Sequence, residues 1–476
     1  MLEIRNLKLD LDNKTIFEGI DFDLEAGKIS LLTGYSGVGK SALLMTVSGV
    51  IPNTIEGEIS GSIKIDDEEI SGLPTEKIAG KLAYISQDAE SQLCSFTVED
   101  EIIFTLENFN TPVEEMESKV DEILSNMNIM KLKYRNINEL SGGEKQKVAI
   151  ASLLVVNPDI IFLDEPTANL DPQSTEEIIE YINILNKKFN KTILIIEHKV
   201  KEFENIADKI YWMNKSEIKE VEKESFIKEY SEKIKLPELK REKEFSEKVI
   251  EVSNLSYSYV PGMEVLDNLN FSIYKGEILG ITGYNGAGKS TLTKLLMGLI
   301  KPDRGKITVE DKDIKELQPK DIGQFMGLVF QNPEHQFIKM SVREELELSL
   351  KINGKDEDYI REKTEEYLDM FDLKNIEKSN PFSVSQGQKR RLSTASMMIN
   401  GQRILLLDEP TYGQDRLNLK NLVNLLFEIN EEGTTIIIVT HDREMIFSCC
   451  DRILFLENHK IKYMGKADGF NEYEQQ

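Results

Sequence analysis

The sequence lacks the features of a secreted, disulfide-bonded or membrane-spanning chain. Its 3 cysteines in 476 residues, Cys94, Cys449 and Cys450, are too few for a disulfide framework, and the adjacent pair lacks zinc-site spacing. No apolar run approaches the ~18 residues expected of a transmembrane helix. The N-terminus alternates like a strand, so no secretory signal is predicted. We therefore expect reduced cysteines and a cytosolic chain.

The sequence also contains fewer basic than acidic residues. Lysine and arginine number 58 against 84 aspartate and glutamate residues, which gives a formal net charge of −26. A field of this sign repels phosphate backbones and anionic lipid surfaces at long range. We therefore expect no nucleic-acid partner and no direct binding to a bare membrane. The length of 476 residues suits two domains, each large enough for a buried parallel sheet.

What the sequence does contain is an internal repeat. The segment GYSGVGKS at 34–41 returns as GYNGAGKS at 283–290, and later landmarks of the two halves keep nearly the same offset. The stretch between the halves is dense in lysine and glutamate, whose charges nearly cancel. We predict a first domain over 1–222, a charged linker over 223–247 and a second domain over 248–476.

The order of patterns within each half is typical of an α/β domain with a mainly parallel sheet. A strand-rich stretch comes first, followed by strand, glycine-rich loop and helix, then a helical insert, then alternating strands and helices. In the first half, apolar residues at helical spacing mark the insert, namely Val113, Met116, Val120, Ile123, Leu124 and Met127. This stripe predicts a helix with one buried face.

Both glycine-rich segments follow a short apolar strand and lead into a helix, which is the context of a phosphate-binding loop. Backbone N–H groups and the helix N-terminus surround the phosphates of ATP, the lysine reaches their oxygens and the serine ligates Mg²⁺. The predicted residues are Gly34, Gly37, Gly39, Lys40 and Ser41 in the first half and Gly283, Gly286, Gly288, Lys289, Ser290 and Thr291 in the second. ATP and Mg²⁺ are therefore the expected cofactors.

Each half also contains an apolar strand that ends in two acids. The run IIFL precedes Asp164 and Glu165, and ILLL precedes Asp408 and Glu409. Such a run alone is more often a strand that reaches solvent. Downstream of a phosphate-binding loop, the pattern favours a catalytic function. The first acid is predicted to hold the Mg²⁺ shell and the second to polarise the attacking water.

The segment LSGGEKQ at 140–146 resembles the signature sequence that defines ABC ATPases. VSQGQK at 384–389 is a second copy, which departs from the family pattern at Gln386. The resemblance covers nearly the whole chain. It implies Q-loop glutamines that serve both catalysis and the metal, switch histidines and D-loop aspartates, which are Gln87, Gln331, His198, His441, Asp171 and Asp415 in this sequence.

The same resemblance implies the architecture of each domain and its mode of nucleotide binding. Each domain is expected to combine a RecA-like, mainly parallel sheet core, an antiparallel β subdomain and an inserted helical subdomain. The two cassettes of one chain are expected to pair head to tail, with each ATP between one phosphate-binding loop and the other domain's signature. The signature residues implied to contact nucleotide are Ser141, Gly142, Gly143, Ser385 and Gly387, and Tyr259 is implied to stack on adenine.

The residues that depart from the family pattern are both expected at one nucleotide site, that of the first half. The nucleotide site of the first half is expected to be completed by the second signature, in which Gln386 replaces a glycine. The residue aligned with Tyr259 in the first half is Leu11, which has no ring to stack on adenine. We predict that this site is weaker than that of the second half but still active, because its acid pair and histidine are retained. Equal sites that tolerate these substitutions are the alternative.

QDAESQL at 87–93 and QNPEHQF at 331–337 look like the Q-loop and following helix of energy-coupling factor importers, a group that includes fused tandem ATPases. The resemblance implies an ATP-hydrolysing subunit that powers uptake of a micronutrient, a vitamin or a metal. Its partners would be a transmembrane coupling subunit and a membrane-embedded substrate-binding subunit. The protein is then expected at the cytoplasmic face of the cell membrane, in contact with the bilayer through those partners.

Other ABC functions share these motifs. A soluble ABC ATPase that acts on ribosomes also has two cassettes, but such proteins carry a longer, basic interdomain arm, whereas this linker is nearly neutral and the chain is acidic. A fused ATPase of a sugar importer shares every catalytic motif and stays open. A DNA-repair ABC ATPase is disfavoured because zinc-binding cysteines are lacking. The imported substrate cannot be read here, since another protein binds it in such systems.

Overall fold

A computed structural model describes residues 1–476 except for a set of short gaps, which are 12–13, 88–89, 141, 168–169, 171, 234, 240–243, 285, 412–413 and 475–476. The chain divides into two compact units, Met1–Lys233 (unit 1) and Ile234–Gln476 (unit 2). Each unit contains a mainly parallel sheet, an antiparallel sheet and helices. The predicted α/β fold class is therefore confirmed for both halves.

Unit 1 places its antiparallel strands first and its parallel strands around the helical insert. Its strands are β1 (Leu2–Leu11), β2 (Lys14–Leu24), β3 (Ile29–Thr33), β4 (Glu58–Ile65), β5 (Glu68–Glu69), β6 (Leu82–Ile85), β7 (Ile160–Asp164), β8 (Thr192–Ile196), β9 (Lys209–Asn214) and β10 (Glu217–Val221). Its α-helices are α1 (Lys40–Val47), α2 (Val50–Asn53), α3 (Thr75–Ile78), α4 (Val98–Asn108), α5 (Val113–Asn126), α6 (Gly142–Leu154), α7 (Pro172–Phe189) and α8 (Lys223–Lys233). Short 3₁₀ turns occupy Glu90–Gln92, Met130–Leu132, Ile137–Glu139 and Val200–Phe203.

Unit 2 repeats this order. Its strands are β11 (Lys248–Val260), β12 (Met263–Tyr274), β13 (Ile278–Gly283), β14 (Arg304–Val309), β15 (Lys312–Asp313), β16 (Met326–Val329), β17 (Ile404–Asp408), β18 (Thr435–Val439), β19 (Arg452–Glu457) and β20 (Lys460–Lys466). Its α-helices are α9 (Lys289–Leu296), α10 (Pro319–Ile322), α11 (Val342–Ile352), α12 (Glu357–Met370), α13 (Gln386–Met398), α14 (Arg416–Glu431), α15 (Arg443–Cys449) and α16 (Ala467–Glu474), with 3₁₀ turns at Pro333–Gln336, Lys374–Ile376 and Pro381–Ser383. In the described part of the chain, every helix is too short or too polar to cross a bilayer.

In each unit the strand before the phosphate-binding loop lies inside the mainly parallel sheet. The strand order is β10-β9-β3-β8-β7-β6 in unit 1 and β16-β17-β18-β13-β19-β20 in unit 2. β3 pairs in parallel with β8 and β9, and β13 with β18 and β19. The antiparallel sheets have the orders β2-β1-β4-β5 and β12-β11-β14-β15. Because parallel strands end at one edge, the predicted loop, acid pair and histidine of each unit meet at that edge.

The apolar runs of the sequence become strands that are buried on both faces. β3, β7 and β8 are buried along their full length. One core of unit 1 joins the antiparallel sheet, α1 and the parallel sheet through residues such as Leu9, Phe17 and Leu44. Unit 2 has the corresponding core and a second cluster that packs α11 to α14 on the other face of its sheet. These cores hold the carboxyl edge of each sheet in place.

The segment predicted as a charged linker, 223–247, is partly folded. It contains α8, whose Phe226 and Tyr230 each lie 5.8 Å from Trp212 of β9 between ring centroids. Further along, Leu236 is buried in a core of unit 2. Apolar side chains spaced among the charges therefore attach the two ends of this segment to different units. The division between the units falls within it.

Candidate nucleotide sites

The phosphate-binding loop of unit 1 joins the buried strand β3 to helix α1. Gly39 precedes the helix with φ of 102°, and a Cβ there would lie 2.9 Å from the ring of Phe17. Lys40 is buried, and its Nζ donates to the carbonyl oxygens of Gly34 at 2.9 Å and Tyr35 at 3.0 Å. One ammonium group thus lies within a curl of backbone at a helix N-terminus, as a phosphate site requires.

Unit 2 builds the same loop between β13 and α9. Lys289 Nζ donates to the carbonyl oxygens of Gly283 at 2.7 Å and Tyr284 at 3.2 Å. A Cβ on Gly283 would lie 2.2 Å from the carbonyl oxygen of Leu456, so the neighbouring strand β19 leaves no room for a side chain. Gly288 precedes α9 with φ of 97°. The other predicted loop residues lie in these two loops and the helices that follow them, and are Gly37, Ser41, Gly286, Ser290 and Thr291.

Asp164 ends β7 and is buried beside the first loop. Its carboxylate accepts hydrogen bonds from the Ser41 hydroxyl and from Tyr84 Oη, the latter at 3.3 Å. Burial, together with the charge of Glu165, raises the pKa of Asp164 to about 6, although Ser41, Lys40 and Tyr84 act in the opposite direction. Its Oδ1 atom has no hydrogen-bond partner among the described residues. A buried carboxylate oxygen beside a hydroxyl is donor chemistry that fits Mg²⁺.

Asp408 occupies the same place at the end of β17. Burial and the charge of Glu409 raise the pKa of Asp408 to about 6, against the opposing charges of Lys289 and Arg390. The two units therefore share an acid with a raised pKa at this strand end, buried in unit 1 and partly buried in unit 2. A nearby cation favours its charged form, which is the form that a metal requires.

Glu165 is held by the two side chains that the resemblance assigned to its site. Its φ is 48°, a left-handed conformation that is strained for a glutamate. Its N–H donates to the carbonyl oxygen of Ile196 at 2.9 Å, which ties it to β8. Gln87 Nε2 donates to Glu165 Oε2 at 2.7 Å, and His198 Nε2 lies 3.3 Å from Glu165 Oε1. The structure thus brings acid, glutamine and histidine together.

Glu409 has the same strained backbone, with φ of 44°, but different partners. His441 Nδ1 lies 3.0 Å from Glu409 Oε1, and Thr440 Oγ1 donates to Glu409 Oε2 at 2.9 Å. Burial alone would raise the pKa of Glu409, but His441, Lys289 and Thr440 together hold it below its ordinary value. Gln331 is exposed near the end of β16, and within the described residues its side chain is not hydrogen-bonded to Glu409.

The signature segments form the N-termini of α6 and α13. Ser385 caps α13, because its Oγ accepts from the Gln388 N–H at 3.4 Å while Gln388 Oε1 accepts from the Ser385 N–H at 3.0 Å. A Cβ on Gly387 would lie 2.5 Å from a side chain of α14, and one on Gly143 would lie 2.9 Å from a side chain of α7. These glycines permit each signature helix to approach the helix that follows the acid pair.

Some predicted family positions fall at helix starts or outside the described residues. Gly142 is the exposed first residue of α6. Asp415 caps α14, and its Oδ1 accepts from the Asn418 N–H at 2.7 Å. Ser141 and Asp171 lie outside the described residues.

Tyr259 stands near the end of β11, beside the second phosphate-binding loop. Its ring is 54% exposed, its Oη lies 3.3 Å from Thr291 Oγ1, and it packs edge-on against Tyr257 at 5.0 Å between centroids. An exposed ring in this place is available to stack on a base. In the paired strands Leu9 holds the register position of Tyr257, which puts Leu11 in the place of Tyr259.

Sequence reasoning missed side chains whose roles come from contacts across the fold. Tyr84, Glu197 and Thr440 contact the acid pairs or the loops that carry them. Arg390 is 1% exposed and donates to the carbonyl oxygens of residues 330 and 331, at 2.6 and 2.7 Å. Glu197 and Thr440 could have been found because each directly precedes a predicted histidine. Tyr84 carries no such signal.

Each unit has a phosphate-binding loop at the carboxyl edge of its parallel sheet, beside an Asp-Glu pair at the end of a buried apolar strand. An α/β unit of this kind is a P-loop nucleotide-binding domain, and this chain has two. A family model described as "ABC transporter" matches residues 17–168 and 266–412. The chain therefore belongs to the ABC transporter family. It is an ABC ATPase with tandem cassettes, the ATP-binding and ATP-hydrolysing component of a transporter.

Similar proteins match over nearly the whole chain. "Putative HMP/thiamine import ATP-binding protein YkoD" of Bacillus subtilis is 35% identical, over 95% of this chain and 89% of its own length. "Putative ABC transporter ATP-binding protein TTE1589" of Caldanaerobacter subterraneus is 32% identical, over 97% and 90%. The solved structure of CbiO1 from Clostridium perfringens, part of the ABC transporter complex CbiONQ, is 31% identical with a TM-score of 0.46, over 48% of this chain and 93% of that one.

Proposed function

We propose that each unit binds ATP at its own phosphate-binding loop and hydrolyses it with Glu165 or Glu409 as the group that polarises water. The observation that carries this proposal is the same in both units: a strained glutamate contacts a histidine beside an aspartate of raised pKa and a loop lysine. A glutamate of depressed pKa, as at Glu409, is ionised at neutral pH and can accept a proton from water. Tyr259 and the residues of the two signatures would complete nucleotide binding.

Mg²⁺ fits the oxygen donors at these sites. Ser41 and Asp164 would hold it in unit 1, and Ser290 and Asp408 in unit 2, with Gln87 and Gln331 as further ligands. When bound, the ion would neutralise phosphate charge. Lys40 and Lys289 bind the phosphates. Asp164 is buried and Asp408 is partly buried, which limits the access of water to each carboxylate.

The test of the nucleotide sites is a double variant, Glu165→Gln with Glu409→Gln. We expect ATP binding close to that of the natural protein and hydrolysis reduced by at least about a hundredfold, because a neutral amide cannot accept the proton of water. The matched control is Glu165→Gln with Glu428→Gln, which leaves one catalytic glutamate in place. Turnover that survives in the double variant would show that these glutamates are not the catalytic groups.

We further propose that the protein powers an importer of the energy-coupling factor type for a vitamin or metal. The Q-loop segments at 87–93 and 331–337 support this type, as does the printed name of the Bacillus subtilis relative, which refers to HMP/thiamine import. The partners would be a transmembrane coupling subunit and a membrane-embedded substrate-binding subunit, with the ATPase at the cytoplasmic face of the membrane.

Affinity purification of the chain from detergent-solubilised native membranes tests the partners. We expect small hydrophobic membrane proteins to be recovered with it in stable proportion. A matched preparation of a Lys40→Ala, Lys289→Ala variant separates partner binding from nucleotide use. Recovery of ribosomal proteins in their place would overturn the importer proposal without affecting the ATPase assignment.

A further inference from the structure

Glu197 is a buried carboxylate in unit 1 that lies between the catalytic candidates. It follows the last residue of β8, directly precedes His198, and is 4% exposed. A buried carboxylate is costly unless its oxygens are hydrogen-bonded. Glu197 meets this condition with partners from two different loops, so its place in the fold is fixed by specific contacts.

Glu197 connects the turn that carries His198 to the loop that follows Glu165. Its Oε1 accepts from the backbone N–H of His198 at 2.9 Å and of Lys199 at 3.3 Å. Its Oε2 accepts from Thr167 Oγ1 at 2.8 Å, and Thr167 is fully buried two residues beyond Glu165. One side chain therefore fixes the position of both loops through buried, charge-assisted hydrogen bonds.

In unit 2 a different residue precedes the histidine, and its hydrogen bonds differ from those of Glu197. Thr440 holds the corresponding position before His441, and its hydroxyl donates directly to Glu409 at 2.9 Å while accepting from the Asp442 N–H at 3.1 Å. An ionised carboxylate only accepts, so Glu197 cannot donate to Glu165 in this way. In unit 1 the amide of Gln87 is a donor to that glutamate.

We propose that Glu197 is a positioning residue of the first cassette, which fixes His198 relative to Glu165 by joining the His198 turn to Thr167. The inference rests on the proposed nucleotide site of unit 1. In unit 2 the hydroxyl of Thr440 positions the catalytic glutamate directly. The two cassettes thus orient the same acid and histidine by different hydrogen-bond networks, and a misplacement of about 1 Å is enough to slow such chemistry by about a hundredfold.

The test is site-resolved photolabelling of the full chain with azido-ATP that carries radioactive phosphorus in its α-phosphate. Protein labelled at low temperature, where ATP is not hydrolysed, reports nucleotide binding. Label retained with orthovanadate, which replaces the released phosphate, reports hydrolysis. Peptide mapping assigns each signal to unit 1 or unit 2. We expect Glu197→Ala, which removes both acceptor oxygens and offers no hydroxyl in their place, to lower vanadate-dependent labelling of unit 1 by about ten- to a hundredfold with binding label unchanged.

Two further variants separate positioning from general structural damage. Glu197→Gln keeps an acceptor for the backbone N–H groups and an amide towards Thr167, so it should retain at least about half of the unit 1 signal. Thr167→Val should reproduce the loss, and the double variant Glu197→Ala with Thr167→Val should lose no more than either alone. Unit 2 labelling should stay unchanged throughout.

The outcomes are distinguishable. Glu165→Gln must abolish vanadate-dependent labelling of unit 1, and if it does not, the proposed nucleotide site itself is wrong. If Glu165→Gln abolishes the signal and Glu197→Ala leaves it intact, the positioning role is overturned. Equal loss of binding and hydrolysis label in Glu197→Gln would show a general structural role and would also overturn it.

Discussion

Asp164 shows how burial of one acid raises its pKa and makes its ionised form costly to the stability of the fold. Burial raises its pKa from 3.8 to about 6, so in the folded protein without a bound cation it is ionised only near neutral pH and above. An acid with a raised pKa destabilises the fold when ionised. The penalty is fully present above about pH 6, fades as the pH falls and is absent below 3.8.

The first prediction concerns this penalty. Without nucleotide and metal, Asp164→Asn should raise the free energy of unfolding at pH 7.5 by up to about 3 kcal/mol, because a shift of roughly two pKa units has this value. The gain should disappear at about pH 3, below both pKa values, where the carboxyl is mostly protonated in the folded and the unfolded state. Thermal melts at the two pH values measure it. The control is Asp358→Asn, whose side chain is 86% exposed, and an equal gain at both pH values would contradict the explanation.

Residues at the sites were predictable to the extent that their roles follow from chain order. The acid pairs and the histidines lie at or just after strand ends, and the loop lysines begin the helices that follow such ends. A parallel sheet brings its strand ends together. Glu197 and Tyr84 act through partners far away in sequence, Thr167 and Asp164. Such pairs depend on strand order, which no local pattern contains.

At the scale of elements, the helix predicted from the apolar stripe is confirmed as α5. Met116, Val120 and Leu124 are buried as expected, but Val113 is 79% exposed. Val113 is the first residue of the helix, so the apolar stripe reaches solvent there. Periodicity identifies the buried face of a helix, whereas the extent of that face depends on the neighbouring elements.

Helix α13 is tied to the segment after β16 by Arg390, whose place in unit 1 is taken by Gln146. Arg390→Gln should lower the free energy of unfolding of unit 2 by about 2 kcal/mol, because buried hydrogen bonds of a charged group are lost. Urea denaturation followed by circular dichroism measures the change. Arg391→Gln is the matched control: Arg391 pairs with Asp372, whose side chain is 75% exposed, and should change stability by no more than about 0.5 kcal/mol. Equal effects would contradict the prediction.

Strand β9 and helix α8 place the single tryptophan of the chain against the first phosphate-binding loop. Trp212 packs edge-on against Tyr35 with 5.0 Å between centroids. We expect Mg-ATP to change tryptophan fluorescence in a saturable way, because the loop next to the indole is the proposed phosphate site. Lys40→Ala should remove the change, whereas Lys289→Ala should keep it. A signal that follows Lys289 would show that Trp212 does not report on the first site.

At the scale of the whole molecule, the repeat is close in fold and unequal in chemistry. The two units share strand order, loop, acid pair and histidine. They differ at the position proposed to stack on the base and in the side chains that contact the glutamate. Leu11 of unit 1 holds the position of Tyr259 in unit 2, and Glu197 holds that of Thr440. The order of motifs along the chain predicted the shared features and the replacement of Tyr259 by Leu11. The different roles of Glu197 and Thr440 could be recognised only from their hydrogen bonds in the structure.

The last prediction is that the two proposed catalytic glutamates, Glu165 and Glu409, contribute unequally to turnover. Losing the ring of Tyr259 weakens binding by about 0.5 to 1.5 kcal/mol, up to about tenfold in affinity, so the site of unit 1 should fill less at limiting ATP. Glu409→Gln should therefore reduce steady-state hydrolysis more than Glu165→Gln. Both variants are compared at limiting and saturating ATP, with Tyr259→Leu as the variant that should make the two sites alike in affinity. Equal losses at limiting ATP, or a larger loss from Glu165→Gln, would instead mean that the sites tolerate their differences and that the missing ring has no effect on turnover.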